Sequence, residues 1–190
     1  MKAREEHKFL KTNGLLLLAA ILLLIIPIPS SADVVSEEYK LKAELLERFT
    51  RFIDWPTASS VSDPNTPFVI GVIGNDPFRT YLDHLKDTKI KDKKVDVREV
   101  DDLSQLDQCQ VLFISASQEK NLDEIVRRVN GKPVLTISDT NGFAQRGVLI
   151  NFYREGEYER FEVNQTAADR SGLKFSSRLM KLARLVTEKK

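Results

Sequence analysis

The apolar positions of the chain fall into two rhythms. Between residues 36 and 55, Leu41, Leu45, Phe49, Phe52 and Ile53 recur at spacings of 4, 4, 3 and 1, which lays them along one stripe of an α-helix. Ser36 stands where an N-cap is wanted, Glu37 and Glu38 suit a first turn, and Pro56 disfavours the helical conformation at Trp55. Residues 57–67 read as a polar loop. Three continuous apolar runs, 68–74, 111–115 and 134–138, have the composition of strands buried on both faces. Residues 95–100 alternate apolar and charged, as a half-exposed strand does.

Between these runs the helical rhythm returns. Asn75-Asp76-Pro77 predicts a capped helix carrying Phe78, Tyr81, Leu82 and Leu85, followed by a basic loop over residues 86–94. Residues 103–106 are at most one helical turn. Leu122, Ile125, Val126 and Val129 mark a helix closed by Gly131 and Pro133. Residues 148–153 and 158–163, joined by 154–157, predict a β-hairpin. Asn164 suits the cap of a short helix over 166–170 that Gly172 ends, and Leu179, Met180, Ala183 and Val186 predict a final amphipathic helix. Buried strands alternating with helices give an α/β fold: three layers, a largely parallel, mixed sheet with helices on both faces, and a C-terminal β-hairpin plus helix.

The N-terminus changes the picture from fold to destination. Lys2, Arg4, Lys8 and Lys11 precede an apolar run of fourteen residues, 15–28, and then Ser30 and Ala32. Such a run covers about 21 Å as a helix, short of the roughly 30 Å hydrocarbon core of a bilayer. The segment reads as a signal peptide, residues 1–32, cleaved after Ala32. An uncleaved anchor is the alternative. The expected product is a single periplasmic domain, residues 33–190, with no stable membrane insertion. Of 190 residues, 29 are basic and 28 acidic; without residues 1–32 the balance is 25 to 26. That balance argues against nucleic acid as a partner.

Little in the chain points to catalysis. Of two histidines, His7 falls in the leader and His84 on a helix surface, and no GxSxG, HExxH, GxGxxG or P-loop is present. Neither an enzyme nor a cofactor is expected. Cys109 has no intrachain partner and reads either as a buried small side chain at a strand entrance or as a redox or dimer-linking thiol. Ligands of α/β sheets bind at the carboxyl ends of strands, which makes Asn75, Asp76, Ser115 and Asp139 a candidate pocket. The same aspartates also suit caps and turns. Trp55 is either core or an exposed contact anchor.

Phe49-Thr-Arg-Phe-Ile-Asp-Trp-Pro56, Ile70-Gly-Val-Ile-Gly-Asn-Asp-Pro-Phe78 and Cys109-Gln-Val-Leu-Phe-Ile-Ser115 resemble blocks of the YfiR family. So do Gly142-Phe-Ala-Gln-Arg-Gly147, Ile150-Asn-Phe152, Phe161-Glu-Val-Asn164 and Ser176-Ser-Arg-Leu-Met-Lys-Leu-Ala183, in the same order. The resemblance implies a periplasmic regulatory protein that forms a homodimer. It would inhibit a membrane-bound diguanylate cyclase, YfiN in the family's namesake, through the cyclase's periplasmic domain, lowering cyclic di-GMP and restraining biofilm growth. Trp55 and the C-terminal helix around Arg178 and Arg184 are the candidate partner contacts. The namesake's paired cysteines are not matched, since Cys109 stands alone. A periplasmic small-ligand-binding module is the alternative function. N-terminal sequencing of the protein from a periplasmic fraction is expected to begin at Asp33; a chain that begins near Met1 and sediments with membranes would show that the apolar run is an anchor.

Overall fold

The computed structural model describes residues 31–78 and 80–188. The expected leader, residues 1–32, lies outside the described residues except for Ser31 and Ala32. Met1–Glu37 and Glu38–Lys190 are two compact units, and the first contributes only the start of α1 (Ser31–Arg51) to the described residues. The second unit is the α/β domain.

Eight strands form its sheet, in the order β10 (Arg184–Val186), β8 (Tyr158–Asn164), β7 (Ile150–Glu155), β6 (Leu135–Ser138), β5 (Val111–Ile114), β2 (Phe68–Ile73), β4 (Lys93–Val100) and β3 (Lys89–Ile90). All neighbours are parallel except β7 with β8 and β3 with β4, the two hairpins. A separate two-stranded ribbon pairs β1 (Ile53–Asp54) with β9 (Lys174–Phe175). Every residue of β2, β5 and β6 is buried, so their apolar runs had no alternation to show.

The two faces of the sheet bury separate cores. On one, Ile70, Phe113, Ile137 and Phe152 meet Ala43, Leu46 and Phe49 of α1, together with α3 (Gln165–Ser171) and Leu179 of α4 (Ser177–Leu182). On the other, Val69, Leu112, Ile114 and Val134 meet Leu122, Ile125 and Val129 of α2 (Leu122–Val129). This is the three-layer mixed α/β architecture expected, with the C-terminal hairpin followed by a short helix. Asn164 caps α3 as anticipated: its Oδ1 accepts from Ala167 N at 2.9 Å, and Gly172 ends the helix at φ +73°.

Five local expectations change. α1 begins at Ser31 and ends at Arg51, so Ser36 lies inside it and Ile53-Asp54 is extended; pairing with β9 requires extended backbone there. The buried stripe of α1 is Lys42, Ala43, Leu46, Phe49 and Thr50, while Leu41 is 44% exposed. The predicted stripe is therefore rotated from the buried one, which takes in a charged residue, Lys42. The helix expected after Asn75 is a series of turns: Asp76 Oδ1 accepts from Phe78 N at 2.8 Å and a 3₁₀ turn covers Asp83–Asp87. That segment must turn at once into the β3–β4 hairpin, whose loop residues Lys91 and Asp92 have φ of 52° and 64°. Lys-Asp carries none of the Asn-Gly signal of such turns, so residues 86–94 read as a plain loop. Finally, α4 stops at Leu182, and the stretch expected to continue it becomes β10, which covers the edge of β8. Asn164 also donates from Nδ2 to Ala144 O, at 2.5 Å, so one side chain ties α3 to the 139–147 loop. Asn164→Ala is expected to cost about 2 kcal/mol, lowering Tm in a thermal melt by about 4–8 °C.

Candidate functional site

The carboxyl ends of the parallel strands are occupied by internal bonds. Asn75 N donates to Ser117 Oγ at 2.9 Å, and Ser115 Oγ lies 2.7 Å from the same hydroxyl, so Ser117 brings Asn75 and Ser115 together. Asp76 turns back onto Phe78 N. Asp139 turns instead to α1, accepting from Tyr39 OH and Lys42 Nζ, each at 2.8 Å. The four candidate pocket residues therefore divide between two places.

The candidate partner contacts also divide. Trp55 is half-buried: its Nε1 donates to Pro133 O at 3.0 Å and its ring meets Phe68 edge-on at 5.4 Å. Arg178 is exposed, with its guanidinium 5.8 Å from the Phe52 ring. The β1–β9 ribbon carries both, Trp55 just past one end of β1 and Arg178 beyond the other, where Ser176 N donates to Phe52 O at 2.9 Å. Phe52 also lines an open groove of about 710 Å³ between the second half of α1 and the turn before β3. Glu44, Glu47, Arg48, His84 and Lys89 give it both signs of charge.

Arg184 sits elsewhere, on β10 at the far edge of the sheet. Ser138, Asn151, Glu162 and Arg184 are register partners in turn across β6, β7, β8 and β10, a polar row on one face. Glu162 is 2% exposed and accepts from Arg184 Nε at 3.0 Å, while the guanidinium lies 3.8 Å from the Tyr153 ring. Asn151 Oδ1, Gln145 Oε1 and Thr140 Oγ1, around the same row, are buried without hydrogen-bond partners among the described residues. Asn151 Nδ2 donates to Phe152 O and Gln145 Nε2 faces Glu162, so neither amide can flip without setting oxygen against oxygen.

No sequence motif pointed to this row, or to the Lys42 cluster on α1. The available signal was Asn151 between Ile150 and Phe152, and Glu162 between Phe161 and Val163. Cys109 is buried, its Sγ 3.8 Å from Gln105 O, and burial pushes its thiol up to about 11. A Cβ added at Gly71 would come within 2.6 Å of that sulfur, so the thiol fills a core position. Among the described residues no group of three or more His, Cys, Asp or Glu is placed to hold a metal ion, and no helix is long and apolar enough to cross a membrane.

The domain is a three-layer one whose candidate pocket residues bond to their own chain and whose open groove carries both signs of charge. The chain belongs to the YfiR/HmsC-like family, whose sequence profile it matches over residues 39–184. This is a regulatory, non-catalytic family of the periplasm, associated with diguanylate cyclase systems. No curated protein matches the chain. Among solved structures, a conserved domain protein from Vibrio cholerae superposes with TM-score 0.50 at 11% identity, covering 77% of this chain and 59% of that one. The ABC domain in complex with L-Trp from Streptococcus pneumonia superposes with TM-score 0.50 at 10% identity, covering 78% and 60%. At such identities the likeness is one of fold, and this chain spans about three-fifths of either structure's length.

The two arginines separate in their consequences. Arg184→Ala leaves a buried carboxylate without its cation and is expected to cost about 2 kcal/mol, whereas Arg178→Ala, exposed and with no carboxylate in salt-bridge contact among the described residues, is expected to stay within about 0.5 kcal/mol of the parent by urea denaturation.

Proposed function

We propose that this protein holds a membrane-bound diguanylate cyclase in its inactive state by binding the cyclase's periplasmic domain, and so lowers cyclic di-GMP. The observation that carries this reading is the match of residues 39–184 to the YfiR/HmsC-like profile. Residues 1–32 act as a cleaved leader, and residues 33–190 work as one domain and as a homodimer. A protein confined to the periplasm reaches a cytoplasmic messenger only through a partner that spans the membrane.

The contact surface is the β1–β9 ribbon with Trp55 and Arg178, and the groove beside Phe52. An exposed guanidinium over a half-buried ring is the sort of anchor that dominates interface energetics. The ligand-module alternative has less support, because Asn75, Asp76, Ser115 and Asp139 all bond to their own chain. Inhibition requires preference for one cyclase state: taking a cyclase from about 1:99 inactive to 99:1 needs about 10⁴-fold tighter binding to the inactive form.

Deleting the gene is expected to raise cyclic di-GMP and surface attachment, and the exported protein to reverse both. Arg178→Ala with Phe52→Ala, folded by circular dichroism, is expected to restore neither fully. Unchanged cyclic di-GMP on deletion, with no cyclase co-purifying with the tagged protein, would overturn the reading.

A further inference from the structure

Lys42 is 3% exposed in the middle of α1, and three carboxylates surround its ammonium. Glu38 Oε1 lies at 2.5 Å, Asp139 Oδ2 at 2.8 Å and Glu159 Oε1 at 3.8 Å. The ammonium also stands 4.6 Å from the Tyr39 ring and 5.9 Å from the Phe152 ring. Tyr39 OH donates to the same oxygen of Asp139 that Lys42 uses. Arg154, half in solvent, reaches Glu38 Oε2 at 3.6 Å. Glu38, Tyr39 and Lys42 come from α1, Asp139 from the residue after β6, and Arg154 and Glu159 from the β7–β8 hairpin.

The cluster therefore sets three carboxylates against two cations, one of them half in solvent. Glu159 is the surplus group. Its side chain is 6% exposed, yet its Oε1 accepts no hydrogen bond, while Glu38 and Asp139 take the short contacts to Lys42. A buried carboxylate oxygen without a donor is costly while the group is ionised, and a single proton removes both that cost and the repulsion from its two neighbours.

We propose that Glu38, Lys42, Asp139, Arg154 and Glu159 form a proton-operated latch between α1 and the β7–β8 hairpin, in which Glu159 takes up one proton as the medium acidifies and the seam tightens. Burial holds the Glu159 carboxyl above the ordinary carboxylate range; Lys42 and Arg154 pull it down, and Glu38 and Asp139 push it up. The folded chain then binds this proton at a higher pH than the unfolded chain. Between those two values the folded state carries more protons, so stability rises as pH falls, the reverse of a salt-bridged carboxylate. Lys42 does not titrate alongside. Burial lowers its value, but the hydrogen bonds to Asp139 and Glu38 and the nearby charges raise it further, so the ammonium persists. Burial and the bond to Asp139 likewise keep Tyr39 a protonated donor. Such a latch would report acidification of the periplasm in the grip on α1.

Glu159→Gln keeps the shape and removes the charge. At pH about 7.5 its Tm is expected about 2–4 °C above the parent, and the gap is expected to close as pH falls towards the ordinary glutamate value of about 4.3. In the parent, amide exchange over the α1 residues 42–50, corrected for intrinsic rate, is expected to slow between those pH values; in Glu159→Gln it is expected to stay flat. Asp139→Asn, which weakens the acceptor of two hydrogen bonds, is expected to lower Tm at both pH values. A Glu159→Gln variant less stable than the parent at pH about 7.5, a gap that does not change with pH, or parent exchange that ignores pH would each overturn the latch.

Discussion

Burial on both faces of β2, β5 and β6 is the constraint from which the rest of the domain follows. A strand covered by α1 on one side and α2 on the other has no place for an unpaired polar side chain, so its residues are apolar or bonded on the spot, as Ser138 Oγ is to Ile114 O at 2.7 Å. Polar chemistry is displaced to the strand ends, the hairpins and the sheet's outer strands. There the domain concentrates it: the Lys42 cluster on one face, the Glu162 row on the other, and Lys93, also buried, donating to Ser60 O, Asp63 O and Thr66 Oγ1 to close the 57–67 loop.

These polar clusters share a logic. Each joins segments far apart in sequence: α1 with the hairpin, β6 with the C-terminal edge strand, a surface loop with β4. Apolar packing supplies the cohesion of the two cores, but it is tolerant of small slides and rotations. Directional bonds between buried charged groups fix register and orientation instead, at a desolvation cost that only complete pairing offsets. The unpaired oxygens of Asn151, Gln145 and Glu159 are the places where that pairing is incomplete.

Most of the fold was legible because it is written in apolar rhythm. The three doubly buried strands, the hairpin at Gly156, the α3 cap at Asn164 and the α2 stripe all follow local rules that the residues state directly. What was not legible depends on long-range pairing. Nothing around Ile53 announces a partner 122 residues later at Phe175, and nothing around Arg184 announces Glu162. Lys42 carries no sequence signal for its buried place, because a lysine on a helix defaults to solvent, and only the approach of Asp139 and Glu159 gives it a reason to be inside. The candidate site residues were chosen by position at strand ends and helix tips; whether their side chains face outward or bond to their own chain is a property of the assembled domain.

Cys109 illustrates how packing decides reactivity. Thiol oxidation proceeds through the thiolate, and a group pushed up to about 11 leaves about one molecule in ten thousand in that form at neutral pH. The sulfur is also packed against Gly71 within the buried core, where the residue is 2% exposed. A lone cysteine in an oxidising compartment is ordinarily a hazard, open to sulfenylation or to scrambling with unrelated thiols. Here the same close fit that completes the core also suppresses the thiolate, so Cys109 serves as a small core side chain rather than as an exposed redox group.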